Sequence, residues 1–239
     1  DYTKILPVFN YGTKENAMAL NSQMDRSIEK SSVCIQKHSM RFNGIEYVRW
    51  IDDAFLMMGK GYFYKQEYVA ARRTFDYVAT QYRKNSITHT ASLWLAKTYI
   101  ATKQYQKAEP ILQSLIAASS EETKMPRYVR RNLDLVLGDY YVASKQYDVA
   151  VKYLKNASFT AKNKYNKTRA MFILGQIYEY QNDKPRAVEQ FESVIKKHPS
   201  YEMSFEARMN LAKCSSDTAA IMKMFNKMLK DSKNNDYLD

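Results

Sequence analysis

The sequence predicts an all-α protein, a right-handed superhelical solenoid of antiparallel helix hairpins. Three observations predict it. Gly and Pro number only 6 and 5 among 239 residues, too few for the turns that sandwiches and barrels need. Apolar residues recur at helical spacing along most of the chain. A small residue, a Tyr, an Ala and a large apolar residue return four times in one order, and a fixed period is the mark of a repeat architecture.

The four copies align on Gly59, Ala96, Gly138 and Gly175. Three residues later come Tyr62, Tyr99, Tyr141 and Tyr178, and nine after those Ala71, Ala108, Ala150 and Ala187. Phe75, Leu112, Leu154 and Phe191 follow, then Val78, Leu115, Ala157 and Val194. Small residues let two helices of a hairpin approach, and the large ones fill the space between hairpins. This order resembles the tetratricopeptide repeat, with Pro199 closing the fourth copy. The copies start 37, 42 and 37 residues apart, against about 34 in that family, so the excess is expected in linkers, the longest from Ser119 to Arg127. One such hairpin cannot cover its own apolar faces, and stacking is therefore required.

Around the repeats, residues 1–13 are expected to be an extended or irregular leader and 14–45 an N-terminal capping helix, with Met18, Met24, Ile28 and Ile35 on one face. Residues 46–201 hold the four repeats, 202–231 a final helix pair with Asp217 as an N-cap, and 232–239 a frayed tail. The chain starts with Asp, so it is expected to be a fragment of a longer one.

With 37 basic and 25 acidic residues the net charge is +12, which suits acidic partners. Basic residues cluster at Arg72-Arg73, at Arg127, Arg130 and Arg131, from Lys162 to Arg169, and at Lys196-Lys197. These read first as solvated helix faces, and otherwise as contacts to an acidic protein or an anionic membrane surface. Nucleic acid is disfavoured, because such grooves lack a regular stacking platform for bases. No apolar run reaches the length of a membrane span.

Chemistry-bearing constellations are sparse, and neither an enzyme nor a cofactor is expected. Asp52-Asp53 suits a helix N-terminus better than an acid/base pair. His38, His89 and His198 form no metal motif, and Cys34 and Cys214 make neither a disulfide framework nor a four-ligand zinc site. Gly59-Lys60-Gly61 falls inside a repeat helix, not in a phosphate loop. Asn156-Ala157-Ser158 and Asn166-Lys167-Thr168 match the N-glycosylation pattern, which short chance matches also produce.

The first helix of each repeat is expected to line a concave face. Counted from the small residue, that face receives Lys60, Phe63, Tyr64, Lys97, Asp139, Arg169, Phe172, Gln176 and Tyr180. Aromatic side chains beside charges suit a protein segment laid in a groove; the alternative for Phe63, Phe172 and Tyr180 is packing between repeats. Asn132 alone does not make a clamp for a C-terminal carboxylate.

Two stretches go beyond a generic repeat. DYTKILPVF at the start and MDRSIEKSSVCIQKHSM from Met24 to Met40 precede EYVRWIDDAFLMMGKGYFYKQEYVAARRTFDYVATQY. Together, over residues 1–82, they resemble the SprE/PorW family of Bacteroidota outer-membrane lipoproteins of gliding motility and type IX secretion. That resemblance implies a periplasm-facing scaffold at the outer membrane, coupling the translocon to the secretion motor or its ring. Neither Cys34 nor Cys214 sits in a lipoprotein anchor sequence. Two other readings compete: a BamD-like outer-membrane assembly scaffold, which would lack the DYTKILPVF start, and a nucleic-acid-binding repeat module.

Overall fold

A computed structural model describes residues 4–83, 85–120 and 125–230. Twelve helices and one two-stranded ladder are found among them. Their contacts divide the chain into two compact units, Phe9–Ser144 and Asp1–Val8 with Lys145–Asp239.

The Phe9–Ser144 unit begins with α1 (Lys14–Met18) and α2 (Asn21–His38). The single capping helix expected over 14–45 is therefore broken at Ala19-Leu20, and it ends before a hairpin of β1 (Arg41–Phe42) and β2 (Ile45–Glu46). Asn43 and Gly44 both take positive φ, 49° and 78°, the two-residue turn that suits the twist of paired strands. Helix α2 packs on α3 (Ile51–Tyr64) through Ile28, whose Cγ1 would lie 2.7 Å from a Cβ at Gly61. Lys65 ties the same two helices, with Nζ 2.6 Å from Asp25.

Hairpins then follow in register with the sequence pattern. Helix α3 pairs with α4 (Tyr68–Gln81), and α5 (Ile87–Ala101) with α6 (Tyr105–Ser119); α7 (Arg127–Ala143) packs on α5. Of the predicted linker 119–127, residues 121–124 lie outside the described residues; Pro126 stands just before α7, as expected. The second unit carries α8 (Tyr147–Thr160), α9 (Lys164–Tyr180), α10 (Lys184–Lys196), α11 (Tyr201–Cys214) and α12 (Thr218–Leu229). Asp217 caps α12, accepting from the Ala220 N–H at 2.9 Å. The frayed tail expected at 232–239 lies outside the described residues.

The repeat columns explain the packing. Ala71, Ala108, Ala150 and Ala187 have no exposed surface, and the large apolar column beside them is equally buried. In the first and fourth copies a Gly faces a Phe: a Cβ at Gly59 would stand 2.6 Å from Phe75, and one at Gly175 would stand 2.6 Å from Phe191. Ala96, with its own Cβ, faces the column in a copy that carries Leu112 instead.

Each hairpin turn is closed by one residue in the left-handed region: Gln66, Lys103, Lys145 and Asn182, all with φ near 60°. In the first, second and fourth copies the next amide reaches back to the repeat Tyr carbonyl, Glu67 to Tyr62, Gln104 to Tyr99 and Asp183 to Tyr178, at 2.8–2.9 Å. That is the six-residue closure of a Schellman cap, so the periodic Tyr also marks where each first helix stops.

Candidate functional site

The nine groove candidates separate into two groups. Phe63 and Phe172 are 1% and 0% exposed. Phe63 packs among Tyr11, Tyr68 and Trp94, and Phe172 stands edge-on to Phe191 at 5.6 Å. Both belong to the packing between helices, because a ring at that register points between hairpins rather than out of the face. Tyr180 is largely exposed and sits on Tyr147, 5.1 Å between centroids. Tyr64, half exposed, leans on Trp94. Lys60 lies in a polar cleft with Asp52, Asn85, Thr90 and Tyr128, and burial holds its ammonium below the usual lysine range, with Asp53 opposing.

Lys97, Asp139, Arg169 and Gln176 are the second group, each at most 7% exposed. Buried charges and amides persist only where something satisfies them. In each unit a partner is found in part of the leader, residues 4–13, which has no regular secondary structure before α1. Sequence reasoning treated that segment as irregular and gave it no place.

In the second unit, α9 reads the backbone of Lys4–Val8. The Gln176 carboxamide accepts from the Leu6 N–H and donates to the Lys4 carbonyl, both at 3.0 Å. Bonds to the carbonyl before and the amide after Ile5 are the pattern of a neighbouring parallel strand. About two helix turns earlier, Arg169 donates Nε to the Val8 carbonyl at 2.9 Å and Nη2 to the Pro7 carbonyl at 2.8 Å. Arg169 also lies near Tyr165, whose Oη accepts from Nη1 at 3.3 Å. The surface basic cluster expected from Lys162 to Arg169 therefore loses its last member, which is turned inward. Val8 is buried, while Lys4 and Pro7 remain exposed.

In the Phe9–Ser144 unit, α3, α5 and α7 hold the next part of the leader. Asp139 accepts from the Phe9 N–H at 3.4 Å. Gln66, held in the left-handed turn after α3, donates toward the carbonyls of Tyr11, Gly12 and Thr13 at 3.1–3.3 Å. Lys97 stands in an aromatic cage, its Nζ 4.1 Å from the Trp94 ring centroid, 4.2 Å from Phe9 and 5.6 Å from Phe63. Ring faces attract a cation, yet burial dominates and lowers the Lys97 ammonium to about 8, against a smaller opposing pull from Asp139. Tyr11 lies edge-on to Phe63 at 5.1 Å, and burial raises its phenol well above the usual range.

The remaining candidates have structural places. Asp52 is buried at the start of α3, accepting from the Asp53 N–H at 2.8 Å and from Asn85 Nδ2 at 2.5 Å; desolvation raises its carboxyl. Ser158 and Thr168, the hydroxyl residues of the two glycosylation patterns, are buried within α8 and α9 and bonded to Lys155 and Lys164 carbonyls. Cys214 is buried, which raises its thiol. Among the described residues, no group of three His, Cys, Asp or Glu side chains could hold a metal, and no helix is long and apolar enough to cross a membrane.

Two tetratricopeptide-repeat family models match the chain, one over residues 56–122 and one over residues 169–201. No curated protein matches it in sequence. Among solved structures, the apo form of RapI superposes with a TM-score of 0.65 at 16% identity, covering 90% of this chain and 62% of RapI, so the chain spans less than two thirds of that protein. A tetratricopeptide repeat protein from Parabacteroides merdae gives 0.56 at 15% identity, covering 83% of this chain and 69% of that one. A kinesin light chain-like repeat protein from Podospora anserina gives 0.56 at 18%, over 77% and 92%. These likenesses are of fold. The all-α fold of tetratricopeptide hairpins thus agrees with the repeat pattern, the helix order and these structures.

Proposed function

We propose that this tetratricopeptide-repeat chain is a non-enzymatic scaffold that holds partner proteins by extended segments laid against its first helices. The observation that carries it is made in each unit by itself: buried Arg169 and Gln176 bond the extended backbone of Lys4–Val8 in one, and buried Asp139 and Lys97 meet Phe9 in the other. Three of the four engage main-chain atoms, which every protein segment offers. Tetratricopeptide repeats are architectures of protein–protein interaction.

The setting we propose is the periplasmic face of the outer membrane, in the gliding and type IX secretion machinery, between the translocon and the motor or its ring. The resemblance of residues 1–82 to SprE/PorW proteins supports this setting, and it includes the leader segment DYTKILPVF. Exposed basic residues on α7, α9 and α10 suit acidic partners or an anionic surface.

A pull-down from detergent-solubilised envelope tests the proposal, with the chain as bait at low and high salt. Translocon or motor-ring proteins retained at high salt are the expected result. Nucleic acid or scattered acidic proteins lost at high salt would overturn it, because only screened charge would then be at work.

A further inference from the structure

We propose that the groove between α8 and α10, floored by α9, is a second protein-binding site, and that its ligand is an acidic peptide segment carrying a large apolar residue beside its carboxylates. The inference goes beyond the scaffold reading, because it concerns the side of α9 turned away from the leader.

Helix geometry separates the two sides. At about 100° per residue, Met171, Leu174 and Tyr178 lie about half a turn round α9 from Arg169 and Gln176. Helices α8 and α10 each pack on α9, and with those three side chains they bound a groove of about 560 Å³. Phe159, on the α8 wall, is 76% exposed. A large ring standing in water at the edge of a partly apolar groove has the character of a partner's anchor point.

Two cations converge on one ring in this groove. Lys155 Nζ, from α8, lies 5.8 Å from the Tyr178 ring centroid, and the Arg186 guanidinium, from α10, lies 4.7 Å from it. Arg186 is paired with Asp183 and Lys196 with Glu192, whereas Lys155 and Lys197 stand in no ion pair among the described residues. The lining offers these cations one carboxylate, Glu189. Tyr178 is 1% exposed, and its hydroxyl is buried without a hydrogen-bond partner. Arg186 stands near that oxygen, but arginine and lysine only donate, so neither can accept from the phenol O–H. Buried hydroxyls are ordinarily satisfied, and a carboxylate would accept from Tyr178 and from both cations at once. Phe159, Met171 and Leu174 add an apolar stretch that a free anion or a nucleic-acid phosphate leaves uncovered. An apolar side chain next to an acidic one covers both.

The probe is a fluorescein-labelled synthetic peptide, EDLFEELLDE, followed by anisotropy against the full chain, and saturable binding is expected. Phe159→Ser and Lys155→Glu change exposed positions, so helicity and melting temperature should hold while each weakens binding about tenfold. Tyr178→Phe should also weaken binding, yet leave the free chain at least as stable, because the hydroxyl has no bond to lose there. A Tyr178→Phe chain that is less stable and binds the peptide equally overturns the proposal. So does an absence of binding to the unmodified chain, or equal binding to the Phe159→Ser/Lys155→Glu chain.

Two control peptides read the chemistry of the ligand. QNLFQQLLNQ, without the carboxylates, and EDSSEESSDE, without the apolar residues, should both bind far more weakly. Equal binding of EDSSEESSDE would reduce the site to screened charge and overturn the proposal. Flotation of the chain with phosphatidylglycerol vesicles, lost in the Phe159→Ser/Lys155→Glu chain and seen without peptide binding, would assign the groove to a lipid surface and overturn it. Dimers seen by light scattering and lost in the same variant, without peptide binding, would assign it to a second copy and do likewise. The Arg169→Ala/Gln176→Ala chain should bind EDLFEELLDE as the unmodified chain does, since those residues face the other side of α9. Loss of the peptide in that chain with helicity intact overturns the separate site, whereas failure to retain envelope partners removes only the scaffold reading.

Discussion

The Lys97 ammonium lies 4.2 Å from the centre of the Phe9 ring, although 88 residues of chain separate them. With Trp94 at 4.1 Å on another side, the leader closes a cage that α5 leaves open. Burial there holds the ammonium at about 8 instead of 10.5.

That depression fixes a pH dependence. The unfolded chain keeps its Lys97 proton up to about 10.5, while the folded chain gives it up from about 8. Between those values the unfolded state binds more protons, so stability rises with pH, and the gain fades as pH falls through 8. Relative to a Lys97→Met chain, the unmodified protein should gain about 2 kcal/mol between pH 7.5 and 9.5, measured by urea denaturation. Above pH 10 the trend reverses. Burial raises the phenols of Tyr82 and Tyr128 to about 12, so their unfolded forms ionise first and stability falls. A flat difference across pH 7.5–9.5 would mean Lys97 is hydrated in solution.

Gly175→Ala isolates the hairpin contact. Alanine favours helix over glycine by about 1 kcal/mol, yet its Cβ would stand 2.6 Å from the Phe191 ring. Overpacking of this kind costs about 1–3 kcal/mol, so the melting temperature should fall rather than rise. Pairing it with Phe191→Leu, the combination of alanine and leucine that the second repeat uses at Ala96 and Leu112, should recover part of the loss.

Arg169→Ala removes donors from the Pro7 and Val8 carbonyls. Hydrogen bonds to a charged group contribute about 1.5–3 kcal/mol, and here they hold the leader backbone at Pro7 and Val8. Limited chymotrypsin digestion should then cut after Phe9 several times faster, while circular dichroism keeps its helical signal. Loss of helix along with the leader would show that Arg169 supports the fold itself.

Lys103→Gly tests the turns. A side chain in the left-handed region costs about 1–2 kcal/mol, and Lys103 sits at φ 58° between α5 and α6. Glycine removes that strain but loses more entropy on folding, leaving an expected gain of up to about 1 kcal/mol in thermal denaturation.

Much of the fold was legible because each repeat column has one geometric duty. Ala71, Ala108, Ala150 and Ala187 are small where helices touch, and Tyr62, Tyr99 and Tyr178 stand where each first helix ends. The Asn43-Gly44 turn was also readable, since that dipeptide favours positive φ at both positions, but helical spacing up to Met40 concealed it. The place of the leader was not legible. Its hydrogen bonds to the helices join residues 53 to 172 apart in sequence, and they involve its backbone atoms, which carry no residue signature. Counting from the small residue did bring Lys97, Asp139, Arg169 and Gln176 to one kind of face. It could not tell them from Phe63 and Phe172, because a ring one step round the helix turns from the face into the core.

The most direct test of the account is deuterium exchange at the Leu6 and Phe9 amides of the unmodified chain. The account predicts slow exchange at both, with Leu6 bonded to Gln176 and Phe9 to Asp139, beside fast exchange at exposed Asn10. Exchange at Leu6 and Phe9 as fast as at Asn10 would contradict it, since the leader would then lie free of the helices that are said to read it.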